Sequence, residues 1–306
     1  MSALVRSMAV SLQVLLEGAI DYAGLFAPAS LDMTTCVDNY SRYRSQSLSW
    51  ALGRFVLPVA RLDEFLSVQK TDSSEPWHLC GIISASVASD LATVDEFNRK
   101  AHGTVIDSVE VRVCNGDEIG QVYKHRPADT AVLFEISPER AGELLPILRQ
   151  IGAGAKLRTG GVVAEAFPAL EAVAGFLARC AELDVPFKAT AGLHHPLRCM
   201  RPFTYEPDSP EGMMHGFLNL FTASAIAWNA QRSGSKAPLV TLATCLADRE
   251  RANWHFGDDA LIWSGEEKPV RIDLESLRAL RSKFALSFGS CSFEEPMREL
   301  REFGLL

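Results

Sequence analysis

The sequence predicts an α/β fold, a (β/α)8 barrel whose parallel sheet is surrounded by helices. Three observations carry that expectation. Short apolar, β-rich runs alternate with amphipathic stretches of helical period along most of the chain. Eight such runs can be counted, the number a closed barrel needs, in 306 residues of which 47% are hydrophobic and 22% charged. The polar residues within the runs also alternate, so that one face of each strand can turn toward a barrel axis.

The elements follow in order. The first run is 19–26, "AIDYAGLF", before the helical "SLDMTTCVDNYSRYRSQ". Next come 54–60, "RFVLPVA", 77–84, "WHLCGIIS", and 105–113, "VIDSVEVRV", each with a helical stretch behind it. The fifth and sixth are 131–137, "AVLFEIS", and 155–159, "AKLRT"; the seventh, 186–192, is "PFKATAG", and the eighth, 284–290, is "FALSFGS". Residues 197–275 break the rhythm with more chain than one helix requires. They are read as an insertion between strands seven and eight, a lid, an oligomer contact or both, within a single 1–306 domain.

Composition excludes several classes. The net charge of −8 and the lack of a basic stripe argue against nucleic acid. Seven scattered cysteines without a CxxC read as reduced thiols of a cytoplasmic protein. The N-terminal "MAVSLQVLLEGAI" is read as a helix and not a signal peptide, and no run reaches the roughly 18 apolar residues of a membrane span. The apolar helix near 212–230 is read as buried or as a homodimer face.

Parity then sorts the polar residues. In "SVEVRV", Ser108, Glu110 and Arg112 share the axial face, and Val109, Val111 and Val113 face the helices. Lys156 and Arg158 share a face, as do Lys188 and Thr190, all late in their strands, where barrels carry chemistry. A lysine inside a barrel is costly unless paired or used. Burial and a neighbouring cation disfavour the ammonium and free the amine as a nucleophile. Lys188 and Arg158 are expected to act so on Lys156, with Glu110 moving protons. That set suits Schiff-base chemistry on a carbonyl substrate, with no cofactor and no metal. The competing reading is a structural ion network of Glu110, Arg112, Lys156 and Lys188.

The ordered motifs resemble the deoxyribose-phosphate aldolases. "IDYAGLFAP" resembles that family's opening "IDHTLLKP", and "VEVRVCNG" and "AVLFEIS" sit where it has its acidic strands. "KLRTGG" resembles its Schiff-base motif "KTSTGF", "FKATAGLHH" its "KPAGGIR", and "FGSCSF" its final "GASS" turn. The resemblance touches most of the chain except 197–275. It implies a class I aldolase with Lys156 as the Schiff-base lysine, Lys188 as the second lysine and Glu110 in place of the relay aspartate. Asp21 matches the opening aspartate. Thr159, Gly160, Gly192, Gly289 and Ser292 match the ligand-facing turns. The departures are Arg158, suited to a substrate carboxylate, Ala191, His194 and Cys291, which thin the phosphate cradle. A small oxo compound, with a carboxylate as one candidate, is therefore expected in place of a sugar phosphate.

Two alternatives stay open. His194 and His195, with Glu110, Glu135, His215 or His255, offer ligands for a divalent metal in a lyase or hydrolase. A non-catalytic barrel used as a binding or scaffold protein is the other. His78 is expected to be structural, His102 and His125 to face solvent, and "HFGDD" at 255–259 to be a helix N-cap turn.

Overall fold

The computed structural model describes residues 8–69, 76–100 and 103–306; His102 lies outside them. Helix α1 (Val10–Leu16) leads into β1 (Ile20–Tyr22) and α2 (Met33–Arg44). Then follow β2 (Leu52–Pro58), α3 (Leu62–Val68), β3 (Trp77–Ile82), α4 (Val87–Lys100), β4 (Thr104–Arg112) and α5 (Gly116–His125). The order continues with β5 (Ala131–Glu135), α6 (Ala141–Ile151), β6 (Gly154–Arg158), α7 (Leu170–Leu183) and β7 (Phe187–Thr190).

Between β7 and the last barrel strand lie an antiparallel hairpin, β8 (Cys199–Pro202) and β9 (Glu211–Met214), then α8 (Phe217–Arg232) and α9 (Leu239–Ala247). A three-stranded antiparallel sheet, β10 (Trp254–Phe256), β11 (Ala260–Trp263) and β12 (Val270–Asp273), precedes α10 (Leu274–Lys283), β13 (Ala285–Ser290) and α11 (Glu294–Glu302). The barrel closes in the order β1-β13-β7-β6-β5-β4-β3-β2, every neighbour parallel. The chain is a (β/α)8 barrel.

Local chemistry explains the boundaries. Asp32 accepts the Thr35 amide at 2.9 Å to cap α2, and Asn115 accepts that of Glu118 at 2.9 Å to cap α5. Glu118 reaches back to the Cys114 amide at 2.7 Å, satisfying a second orphan donor. Alternation along the strands sends Phe55, Trp77, Val109, Phe134 and Phe187 outward into the helix layer, where Phe55, Phe65, Tyr40 and Trp77 pack ring against ring. The inward set includes Asp21, Glu110, Lys156, Lys188 and Ser287.

Three expectations change. Residues 211–214 form β9, so the apolar helix starts only at Phe217. It is buried against α7, α9 and α10 of its own chain, which accounts for its hydrophobicity without a second subunit. The "HFGDD" segment is the turn from β10 to β11; it caps no helix of its own, but Asp258 accepts the Val10 amide at 3.3 Å at the start of α1. Arg112 ends β4 exposed to solvent, outside the buried ion network. Among the described residues, no helix is long and apolar enough to cross a membrane.

Candidate active site

The inward residues form one hydrogen-bonded ion chain across the barrel. On β13, Ser287 donates to Asp21 Oδ2 at 2.7 Å, and the Arg54 amide donates to Oδ1 at 2.7 Å. Lys188 Nζ lies 2.6 Å from Asp21 Oδ2 and 2.5 Å from Glu110 Oε1. Lys156 Nζ lies 2.6 Å from the other oxygen of Glu110 and 2.8 Å from Glu135 Oε2. Cys80 donates to Glu110 Oε1 at 3.2 Å. Strand register makes this possible: Lys156 pairs with both Lys188 and Glu135 across adjacent strands.

Charge sets the resting protonation. Burial works against the ionised form of Glu110, but two ammonium groups outweigh it and hold its carboxyl far below the usual carboxylate range. Burial likewise opposes the Lys156 ammonium, and Glu110 and Glu135 overcome it, so its pKa is raised. Lys188 is raised further, again against burial, chiefly by Asp21. The expected depression of Lys156 is therefore reversed in the resting site. A second cation does stand beside it, but three carboxylates surround the two lysines and the shared carboxylate dominates. Arg158 does not supply the missing push either, being exposed with its Nε–H on the Gly160 carbonyl at 3.0 Å.

The two lysines differ in access. The Lys156 side chain is 9% exposed and that of Lys188 1%. Lys156 is thus the amine that a ligand entering from the mouth of the barrel meets.

The turns around the mouth are packed in a way the motifs do not reveal. Thr159 is buried and its hydroxyl is directed at the carbonyls of Ala191, 2.7 Å, and Thr190, 3.1 Å, tying β6 to β7 instead of facing a ligand. A Cβ on Gly160 would meet the Phe167 ring at 2.5 Å, and one on Gly192 would meet it at 2.8 Å. Both glycines therefore make room for an aromatic side chain, which itself packs on Phe203 at 5.1 Å. Ala191 keeps the left-handed conformation, φ 64°, that glycine adopts more cheaply. Gly289 lies in β13, where a Cβ would press on the Thr190 hydroxyl at 2.9 Å. Ser292 accepts the Glu295 amide at 3.1 Å at the start of α11, a helix that opens with Glu294 and Glu295. Two carboxylates in a first turn oppose an anion there.

The histidines divide. His195 Nδ1 sits 2.7 Å from Glu299 Oε1, and His194 Nδ1 sits 3.3 Å from Glu295 Oε2. Their carboxylate partners thus come from α11, not from Glu110 or Glu135, which are committed to the lysines. His215 Nε2 donates to the Pro168 carbonyl at 2.9 Å, and burial depresses its pKa to about 4. His255 is exposed on β10, His78 pairs with Asp107 at 2.8 Å, and His125 is exposed at the end of α5. The metal-ligand set kept open as an alternative is not assembled. Among the described residues, His195, Glu295 and Glu299 alone have metal-like spacing, and there Glu295 is already bonded to His194 and Tyr205.

Parity did not single out Ser287, Tyr205, Glu295, Glu299 or the ion-pair role of Glu135. Two signals were present: Ser287 shares a face with Gly289 by alternation, and Glu295 and Glu299 are one helical turn apart.

No protein-family model matches the chain, and no curated protein does. Among solved structures it is similar to a point mutant of FabK from Thermotoga maritima, at 12% identity over 97% of this chain and 96% of that one, with a TM-score of 0.40. It is also similar to FabK from Thermotoga maritima without that substitution, at 14% identity, 96% and 81% coverage and a TM-score of 0.37. Likeness of that degree carries nothing about chemistry.

Proposed function

We propose that the chain is a Schiff-base lyase of the class I aldolase type, with Lys156 as the amine that condenses with a small oxo compound. One observation carries the reading most: the more accessible of two buried lysines has two carboxylates within 2.8 Å, while the second lysine occupies the far oxygen of one of them. Asp21, Glu110, Lys156 and Lys188, the four charged residues matched to the aldolase motifs, lie in that one chain of contacts.

The chemistry follows from proton positions. As a carbonyl carbon approaches Lys156, its ammonium passes one proton to Glu110 or Glu135. The free amine forms the C–N bond, and the carboxylate's proton and a second proton from the nitrogen both pass to the former carbonyl oxygen, which leaves as water. The product is an iminium on Lys156, which draws electrons from a neighbouring carbon–carbon bond. Lys188 keeps Glu110 ionised and positioned between turnovers. Arg158, at the rim with its Nη groups uncommitted to the Gly160 carbonyl, suits a substrate carboxylate. The carboxylates at the start of α11 disfavour a phosphate.

The test is borohydride trapping with a panel of aldehydes, ketones and 2-oxo acids, read by intact mass and peptide mapping beside Lys156→Ala. A reduced adduct on Lys156, absent from the variant, is expected. Failure of every carbonyl to give an adduct in folded protein would remove the mechanism and leave the ion chain as a structural network.

A further inference from the structure

Two positions that depart from the aldolase-like motifs, His194 and Cys291, meet in the fold. Cys291 follows the last residue of β13, and its Sγ lies 3.8 Å from His194 Nε2 and 3.9 Å from Nδ1. The Tyr205 hydroxyl, on the hairpin between β8 and β9, is 3.7 Å from the sulfur. Glu295 Oε2 holds both partners, 3.3 Å from His194 Nδ1 and 3.1 Å from the Tyr205 hydroxyl. A cysteine packed only as a small hydrophobe has no need of an imidazole, a phenol and an orienting carboxylate.

We propose that Cys291 is a nucleophilic thiolate that reacts with small hydroperoxides, with His194, oriented by Glu295, as its cationic partner. Cys291 is only 6% exposed, which favours small reagents over bulky disulfides. The thiolate attacks one peroxide oxygen, the S–O bond forms and the O–O bond breaks. The departing hydroxide takes the His194 proton and leaves as water, so that Cys291 ends as a sulfenic acid.

Electrostatics agrees with the geometry. Burial disfavours the thiolate, but the His194 contact and its charge outweigh it and lower the Cys291 pKa. His194 rises to about 10 against its burial through Cys291 and Glu295. Cys36, the other group near the sulfur, moves the opposite way, to about 11, because burial dominates it. Burial also raises Cys80, Cys180, Cys199 and Cys245.

Competitive labelling of the intact chain at pH 7 tests this, with limiting iodoacetamide and peptide mapping of the cysteines. Exposed Cys114 is the internal control. Cys291 is expected to react at least about 10-fold faster than Cys114, since an ordinary thiol is only a few per cent ionised at that pH. His194→Gln should abolish that advantage. Tyr205→Phe, at a side chain exposed enough to spare the fold and bonded to the Glu295 oxygen that orients His194, should reduce it. Hydrogen peroxide on the folded protein, followed by denaturation in the presence of dimedone, should place the sulfenate adduct on Cys291. Labelling of Cys114 ahead of Cys291, unchanged labelling in both variants, or no dimedone adduct on Cys291 would each overturn the proposal. None of these readouts depends on Lys156.

Discussion

Lys156 and Lys188 face each other across neighbouring strands and bind opposite oxygens of one carboxylate, Glu110. The shared acceptor reconciles two cations in a nearly dry interior. It also separates their duties, since Lys188 is enclosed between Asp21 and Glu110 while Lys156 borders the mouth.

That difference predicts unequal costs of removal. Lys188→Met leaves Asp21 and Glu110 with one cation fewer in full burial, and should destabilise by about 3–5 kcal/mol. Lys156→Met leaves Glu110 still bound to Lys188 and Glu135 partly solvated, and should cost less. Urea denaturation of the two variants decides it; an equal or reversed order would contradict the assigned burial.

The ion chain also sets a pH window. The Glu110 pKa falls on folding, so its contribution is present above 4.5 and is lost as pH falls further. The Lys156 and Lys188 pKa values rise, so theirs are complete below 10.5 and are lost as pH rises beyond it. Imine trapping passes the Lys156 proton to a carboxylate within the site, so its rate should vary little between pH 7 and 10, below the raised lysine pKa. Glu135→Gln removes one acceptor and should lower the rate across that window. A rise of about tenfold per pH unit would show that the proton is lost to solvent and not to the carboxylates.

His215 contributes a separate acid sensitivity. Its neutral ring donates from Nε2 to Pro168, and Arg198 approaches Nδ1 at 3.4 Å. With a folded pKa near 4 against 6.5 unfolded, its contribution is full above 6.5 and declines as pH falls toward 4, by on the order of 3 kcal/mol. His215→Gln should flatten the stability profile between pH 6.5 and 4, as followed by thermal melts. An unchanged slope would assign the acid sensitivity elsewhere.

Gly160 and Phe167 should be coupled. Gly160→Ala forces a Cβ against the ring at 2.5 Å and should cost about 1–3 kcal/mol. In Phe167→Ala the same substitution should cost almost nothing. A double-mutant cycle with additive effects would mean that the ring is not what requires glycine.

Arg158 offers a readout of substrate class. Arg158→Ala should lower trapping of 2-oxo acids by at least about 10-fold and leave that of uncharged aldehydes nearly unchanged. Equal losses would take the carboxylate out of the proposed substrate.

The sequence alone determined the eight strands, their order and the inward placement of Glu110, Lys156 and Lys188. Period-two alternation and strand–helix succession are local properties, and a closed parallel sheet is how such a chain buries both faces. Which groups touch was decided by the tertiary structure. Asp21 and Ser287 are far apart in sequence, and only closure between β1 and β13 joins them. The same holds for Glu135 beside Lys156, for Phe167 over two glycines, and for His194 against Cys291. The sign of the Lys156 shift depended on this closure too, because a pKa follows the sum of charges within a few ångströms. Parity shows that two cations share a face, but only the folded barrel places three carboxylates around them.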